Sequence, residues 1–384
     1  MRVLMVSDVY FPRINGVSTS IETFRTSLHA HGVEARLVAP RYGSEPDAPG
    51  IVRVPGRSVF QDPEDRLAHY RVLRRTVLDA AASCDLIHIQ TPFAAHYAGL
   101  HAARQLGKPV LATYHTLFEE YLQHYVPLLP GAWLRRLARR FSRAQCNALD
   151  AVIVPSSAMA GRLRAYGVTA PLRILPTGLP DEAYRAGDGP GFRERHGIAG
   201  DRPMALFVGR VAHEKNIGFL LEAAVRVRRE RPDMLLVVAG EGPAREALCQ
   251  QAGRLGLDAQ VRFLGYLDRR TELPDAYGAA DLFVFASRTE TQGLVLLEAL
   301  AQGCPVLGLS VMGTADILDG QRGCRASADD PSAFAAAWLE LLNDEKQRLA
   351  LASEARRHSE AWRASRLAGD LARYYQAVLD GKPG

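Results

Sequence analysis

The sequence predicts an α/β protein built from two doubly wound domains that face a central cleft, and three observations predict it. Short apolar runs alternate with helix-length amphipathic segments from one end of the chain to the other. That is the pattern of a parallel sheet covered by helices on both faces. The alternation weakens between residues 170 and 202 and then restarts. At 384 residues the chain is also too long for one ordinary core, and suggests two domains of roughly 150 to 200 residues each.

RVLMVS, ARLVAP, DLIHIQ, PVLATYH and AVIVPS are the strands expected in a first domain over residues 1–180. Met1 to Asp8 is too short and too soon acidic for a signal peptide, and reads as the first of these strands. PTGLPDEAYRAGDGPG collects Pro, Gly and Asp, which marks residues 181–202 as a linker. MALFVG, MLLVVAG, QVRFLG, DLFVFAS and PVLGL restart the pattern as a second domain over 203–360. Residues 361–384 read as a terminal helix ending near Leu379, with Trp362, Leu367, Leu371, Tyr374 and Leu379 as apolar positions. It is expected to cross back to the first domain.

A hydrophobic content of 47% and a charged content of 23% are those of a soluble globular protein. No apolar run approaches the ~20 residues that span a bilayer. Cys84, Cys146, Cys249, Cys304 and Cys324 are scattered without metal spacing, which fits reduced thiols and a cytoplasmic location. The net charge of +5 invites an anionic partner: nucleic acid, an acidic membrane surface or a phosphorylated small molecule.

In doubly wound sheets ligands gather beyond the carboxyl ends of the strands, so those ends carry the candidates. The first turn, SDVYFPRINGVSTS, lacks G-x-G-x-x-G and has only Gly16 before a helix starting near Val17. This argues against NAD or FAD and leaves a helix N-terminus able to receive one phosphate group. In FVGRVAHEKN, Arg210 and Lys215 follow a strand end and precede a helix. Two cations beside backbone donors suit a diphosphate leaving group, the alternative being a solvated basic turn. His115 ends the strand PVLATYH and could bond a sugar hydroxyl, although a lone histidine is more often structural.

In TETQGLVLLEALAQG, Glu290 lies in the loop beyond DLFVFAS, and a helix runs from near Gly293 to its C-cap at Gly303. Gly293 has no Cβ, so a ligand can approach the first-turn N–H groups of Gly293, Leu294 and Val295. From Glu290 to Glu298 is at most ~12 Å if wholly helical, comparable with the reach of a diphosphate between a sugar ring and a ribose. Glu290 on a sugar, residues 293–295 on phosphate and Glu298 on ribose would make one extended site. Two solvated glutamates would show the same spacing, but Leu296, Leu297, Ala299 and Leu300 crowd Glu298 with apolar groups.

PGAWLRRLARRFSRAQCNALD places Trp133, Leu134, Leu137 and Phe141 at helical spacing, with Arg135, Arg136, Arg139, Arg140 and Arg143 among them. Such a helix can lie in an anionic membrane interface, or pack as an amphipathic helix on its own sheet. No nucleic-acid motif accompanies the arginines, so no nucleic-acid partner is expected. No D-x-D triplet ends a strand, so neither metal nor other cofactor is expected.

E-T-Q-G-L-V-L-L-E resembles the E-x7-E motif of the retaining glycosyltransferases of family 4, which have the GT-B fold. GRVAHEKN, GEGP, FLGYL and PRINGVSTS resemble the other signatures of that family in the same order, over nearly the whole chain. TYHTLFEEYLQHYVP followed by CNALDAVIVPS is similar to the diacylglycerol glucosyltransferases and related lipid glycosyltransferases. The resemblance implies that Glu290 contacts donor-sugar hydroxyls, that residues 293–295 face the phosphate and that Glu298 binds ribose. It implies that Arg210 and Lys215 neutralise the departing diphosphate, that Gly16 lets the first loop close, and that His115 sits beside the sugar. Family members read E-G-F/S-G where this chain has E-T-Q-G, which bears on donor preference.

The implied activity is transfer of a hexose with retention, by front-face displacement, from a nucleotide-sugar to a lipid or glycan acceptor. UDP-glucose to diacylglycerol is the first expectation and GDP-mannose to a phospholipid or glycan the second, by an enzyme held peripherally at an anionic membrane. A nucleotide-sugar epimerase and a non-catalytic membrane-binding protein are the readings from other classes.

Overall fold

The computed structural model describes residues 1–46, 48–58, 66–115 and 131–383, with the side chains of 131–133 excepted. It divides the chain into two units, Met1–Gly178 with Ala364–Gly384, and Leu179–Arg363.

In the first unit, strands β1 (Arg2–Val6), β2 (Glu34–Pro40) and β3 (Ile51–Val54) precede a short antiparallel pair, β4 (Gly56–Ser58) and β5 (Arg66–Ala68). β6 (Leu86–Ile89), β7 (Val110–Thr113), β8 (Ala151–Val154) and β9 (Leu172–Ile174) complete a seven-stranded sheet. Its order is β3-β2-β1-β6-β7-β8-β9, and every pairing in it is parallel. Helices α1 (Gly16–Ser27), α2 (Tyr70–Ala81), α3 (Ala94–Leu106), α4 (Gly131–Cys146) and α5 (Ser157–Ala165) are the crossovers. Val3 to Val6 and Leu86 to Ile89 are buried throughout, because a sheet covered on both faces has no wet side.

The second unit opens with a segment expected to be a linker. Residues 181–202 instead form a 3-10 turn (Asp181–Tyr184) and helix α6 (Gly189–Arg195), packed within that unit. Arg193 anchors the segment: its guanidinium donates to the carbonyls of Ala279, Ala199 and Arg202 and pairs with Asp281 at 3.0 Å. The remaining strands are β10 (Met204–Val208), β11 (Leu235–Ala239), β12 (Val261–Gly265), β13 (Leu282–Phe285), β14 (Val306–Leu309) and β15 (Cys324–Ser327). They are all parallel, in the order β12-β11-β10-β13-β14-β15. Helices α7 (Ile217–Glu230), α8 (Arg245–Arg254), α9 (Glu272–Ala279), α10 (Leu294–Ala301), α11 (Pro331–Asn343) and α12 (Glu345–Ser359) cover this sheet. In each sheet the strand order reverses at one point, between β1 and β6 and between β10 and β13. Ligands bind beyond such points because the two loops there part to opposite faces.

The chain passes between the units at 178/179 and again at 363/364. The second unit's ends there are joined by a bond from the Leu179 N–H to the Trp362 carbonyl, 2.7 Å. The last helix, α13 (Ala364–Leu379), belongs to the first unit and docks by a buried polar chain. His88 on β6 contacts the Tyr375 hydroxyl through Nδ1 and the Thr113 hydroxyl through Nε2, each at 2.7 Å. Burial holds the His88 pKa down at about 3, so the ring is neutral.

That pKa has a measurable consequence. As pH falls through the window from 6.5 to about 3, the unfolded chain takes up a proton at His88 that the folded chain excludes. This residue therefore removes ~1.4 kcal/mol of stability per pH unit in that window. Urea unfolding of the wild type and His88→Gln, followed from about pH 7 down to about pH 5, should show the variant losing stability less steeply, by up to ~1.4 kcal/mol per pH unit at the acid end.

Candidate active site

In the second unit, the loops after β10, β11 and β12 are locked to one another backbone to backbone. Gly209 N–H bonds Ala239 O (3.0 Å), Val211 N–H bonds Glu241 O (2.9 Å) and Gly240 N–H bonds Gly265 O (2.7 Å). A Cβ on Gly240 would lie 2.0 Å from the Gly209 oxygen, and one on Gly242 would lie 2.4 Å from that of Val211. Both have positive φ, 136° and 158°, so the approach needs glycine for space and, at Gly240, for conformation.

Arg210 follows β10, is exposed, and makes no ion pair or hydrogen bond among the described residues. Lys215 ends a 3-10 turn before α7, and its ammonium donates to Glu290 Oε1 at 2.5 Å. Both side chains are mostly enclosed, at 22% and 16% exposure, so the pair is better shielded than a surface ion pair. Glu290 lies beyond β13, so this contact spans the two strands where the order reverses. The Glu290 loop is held from behind: Gly313 N–H bonds the Glu290 carbonyl at 2.8 Å, and Gly313 lies flat on Thr291.

Gly293 is left-handed at φ 95° and caps α10, which runs from Leu294 to Ala301. The first-turn N–H groups of such a helix have no intrahelical acceptor and carry the positive end of its dipole. Further along, Glu298 is 8% exposed among leucines. Its Oε1 takes an ion pair from Arg269, and its Oε2 accepts from the Tyr277 hydroxyl at 3.1 Å. The second unit thus assembles Arg210, Lys215, Glu290, Gly293, Leu294, Val295 and Glu298 on the loops and helix that flank β10 and β13. Arg269 and Tyr277 were absent from the sequence reading; a carboxylate in an apolar helix was the signal that buried partners must exist.

Gly16 and His115 belong to the first unit. Gly16 is the exposed first residue of α1, whose cap is the Asn15 side chain accepting from Ser18 N–H at 2.8 Å. The preceding loop is braced by Arg53, which donates to the Phe11 carbonyl (2.8 Å) and lies over the Tyr10 ring. His115 follows β7, and its Nε2 meets Gln90 Oε1 at 3.0 Å, so the ring donates there. Burial draws its pKa down to about 4. Beside Gln90, Asp8 accepts from the Thr91 hydroxyl (2.7 Å) and from Ala95 N–H at the start of α3 (3.0 Å). Burial outweighs those bonds and pushes its carboxyl up to about 6. Gln90, Thr91 and Asp8 also escaped the sequence reading.

On α4, Leu134, Ala138 and Ser142 face inward, while Arg135, Arg136, Arg139, Arg140 and Arg143 are exposed. Leu137, expected on the apolar side, is 46% exposed among the arginines, and Arg139 lies 5.5 Å over the Tyr166 ring. The Trp133 side chain lies outside the described residues. Among the described residues, no helix is long and apolar enough to cross a membrane, and no group of His, Cys, Asp or Glu could hold a metal.

The model for glycosyl transferases group 1 matches residues 190–358, and that for glycosyltransferase family 4 matches residues 14–183. An alpha-monoglucosyldiacylglycerol synthase of Streptococcus pneumoniae is 33% identical over 317 residues, 80% of this chain and 70% of that protein. The chain belongs to the group 1, family 4 glycosyltransferases. It is an enzyme of sugar transfer. A GDP-mannose-dependent alpha-mannosyltransferase of Mycobacterium tuberculosis is 30% identical over 337 residues, 84% of this chain and 82% of the relative. The fold is GT-B, as in the crystal structure of Anabaena HepE in complex with UDP and glucose. That structure has a TM-score of 0.78 at 18% identity, over 98% of this chain and 100% of the other.

Gly313 offers a test of how tightly the glycosyltransferase must hold its Glu290 loop. A Cβ there would stand 2.2 Å from the Thr291 carbonyl carbon and oxygen, so the loop has to move. Gly313→Ala should lower sugar-transfer turnover by ~100-fold through misplacement, with the far-ultraviolet circular dichroism unchanged.

Proposed function

We propose that this enzyme transfers glucose from UDP-glucose to a diacylglycerol-type lipid, with retention of configuration, at an anionic membrane surface. The observation that carries the reading is the set of charges around α10. Glu290 and Glu298 stand either side of its open N-terminus, and Lys215 pairs with the first of them. In this reading Glu290 holds the hexose through its hydroxyls, and the N–H groups at Gly293, Leu294 and Val295 receive the diphosphate. Glu298 takes the ribose.

Arg210 and the ammonium of Lys215 stabilise negative charge as the sugar–phosphate bond breaks. The departing phosphate accepts the proton of the incoming hydroxyl on the same face. The preference for glucose and for a lipid rests on the Streptococcus pneumoniae relative, whose name states a glucosyldiacylglycerol product. The mycobacterial relative favours GDP-mannose as the second reading.

A donor screen against mixed lipids, read by mass spectrometry, tests this. Hexosylated diacylglycerol should form with UDP-glucose and not with GDP-mannose, and Glu290→Gln should lower the rate by ~100-fold or more. Mannolipid from GDP-mannose alone would replace the donor assignment.

The exposed arginine face of α4 supports the membrane part of the proposal, since each cation near an anionic surface contributes ~1 kcal/mol. Vesicles containing phosphatidylglycerol should co-sediment the protein at low salt and release it at high salt. Arg135, Arg136 and Arg140 changed together to Glu should abolish co-sedimentation while leaving the melting temperature unchanged.

A further inference from the structure

We infer that Arg269 and Tyr277 are positioning residues that aim the Glu298 carboxylate so that it reads both ribose hydroxyls of the donor nucleotide. The inference deepens the reading above and rests on Glu298 being the ribose carboxylate.

The geometry is specific. Glu298 is 8% exposed on an apolar helix, and each of its oxygens already has one partner, Arg269 on Oε1 and Tyr277 on Oε2. A carboxylate offers about four acceptor positions. With two engaged, two remain, one on each oxygen, matching the two donors of a vicinal diol. Two fixed partners on opposite oxygens leave the carboxylate no freedom to rotate about its last bond. A glutamate without them would meet a diol in many orientations and lose that pairing.

The two partners are themselves held. Tyr277 is 2% exposed in α9, with its ring against Phe283. Arg269 follows β12 in a turn locked by Asp268, whose Oδ1 accepts from Arg270 N–H, Thr271 N–H (both 2.9 Å) and the Thr271 hydroxyl. The Asp268 N–H in turn bonds Glu272 Oε2 at 2.8 Å. The neighbouring Arg270 is exposed and takes no part in holding Glu298.

Calorimetric titration with matched pairs, UDP against 2′-deoxy-UDP and GDP against 2′-deoxy-GDP, tests this whichever base the donor carries. The wild type should favour the ribonucleotide by ~10- to 100-fold, the ratio for losing a hydrogen bond to a charged group. Glu298→Gln should abolish most of that preference. Arg269→Ala should cut it to a few-fold, Tyr277→Phe should cut it partly, and Arg269→Lys should restore part of it. Melting temperature reports whether each variant folds; should Arg269→Ala fail to fold, Arg269→Gln replaces it. A full ribose preference in folded Arg269 and Tyr277 variants overturns the positioning role while leaving Glu298 in place. No ribose preference in the wild type removes the reading of Glu298 itself, and the inference with it.

Discussion

A carboxylate in an apolar helix has to be met by a donor, because an unpaired buried charge costs several kcal/mol. Much of the loop arrangement beyond β10, β12 and β13 follows from that requirement. Glu298 sits among leucines only because α9 brings the Tyr277 hydroxyl and the β12 turn brings the Arg269 guanidinium. Glu290 is tolerated beyond β13 because the turn after β10 delivers Lys215 to it. The pairs hold both acids in place and keep them from drifting toward solvent.

Bringing those loops together sets a second requirement, close approach of backbones without side chains. Gly240 and Gly242 let the β11 loop lie on the β10 loop, and Gly313 lets its own turn lie on Thr291. These contacts leave the functional loops few ways to move relative to their sheet, which is what a site acting by positioning and electrostatics needs. Arg210 is the exception: an exposed cation with no ion pair or hydrogen bond among the described residues.

The first unit solves its polar problem differently, with neutral groups. His88 and His115 are held uncharged by burial, and each is oriented by a hydroxyl or amide partner. Asp8 is tied to Thr91 and to the start of α3. The same chemistry docks the terminal helix, since Tyr375 reaches β6 through His88. The arginines of α4 are exposed, so water solvates their charge, and Arg139 also lies over the Tyr166 ring.

The sequence by itself determined two helix-covered parallel sheets through five strands of each; β3, β9, β15 and the β4–β5 pair became visible only in the structure. Strand pattern, helix period and capping glycines are local properties, readable within a few residues. It also placed Glu290, Gly293 and Glu298 at fixed offsets along one loop and helix, and the family to which those offsets belong. Only the tertiary structure decided which partners the acids have. Lys215 meets Glu290 across 75 positions, Arg269 meets Glu298 across 29, and Tyr375 meets His88 across 287. Residues 181–202 read as a linker because Pro, Gly and Asp favour turns, yet Arg193 ties them into the second unit through carbonyls that no pattern displays. Such contacts exist because folding closes long loops around a buried charge, and no local signal in the chain records which distant residue will be there.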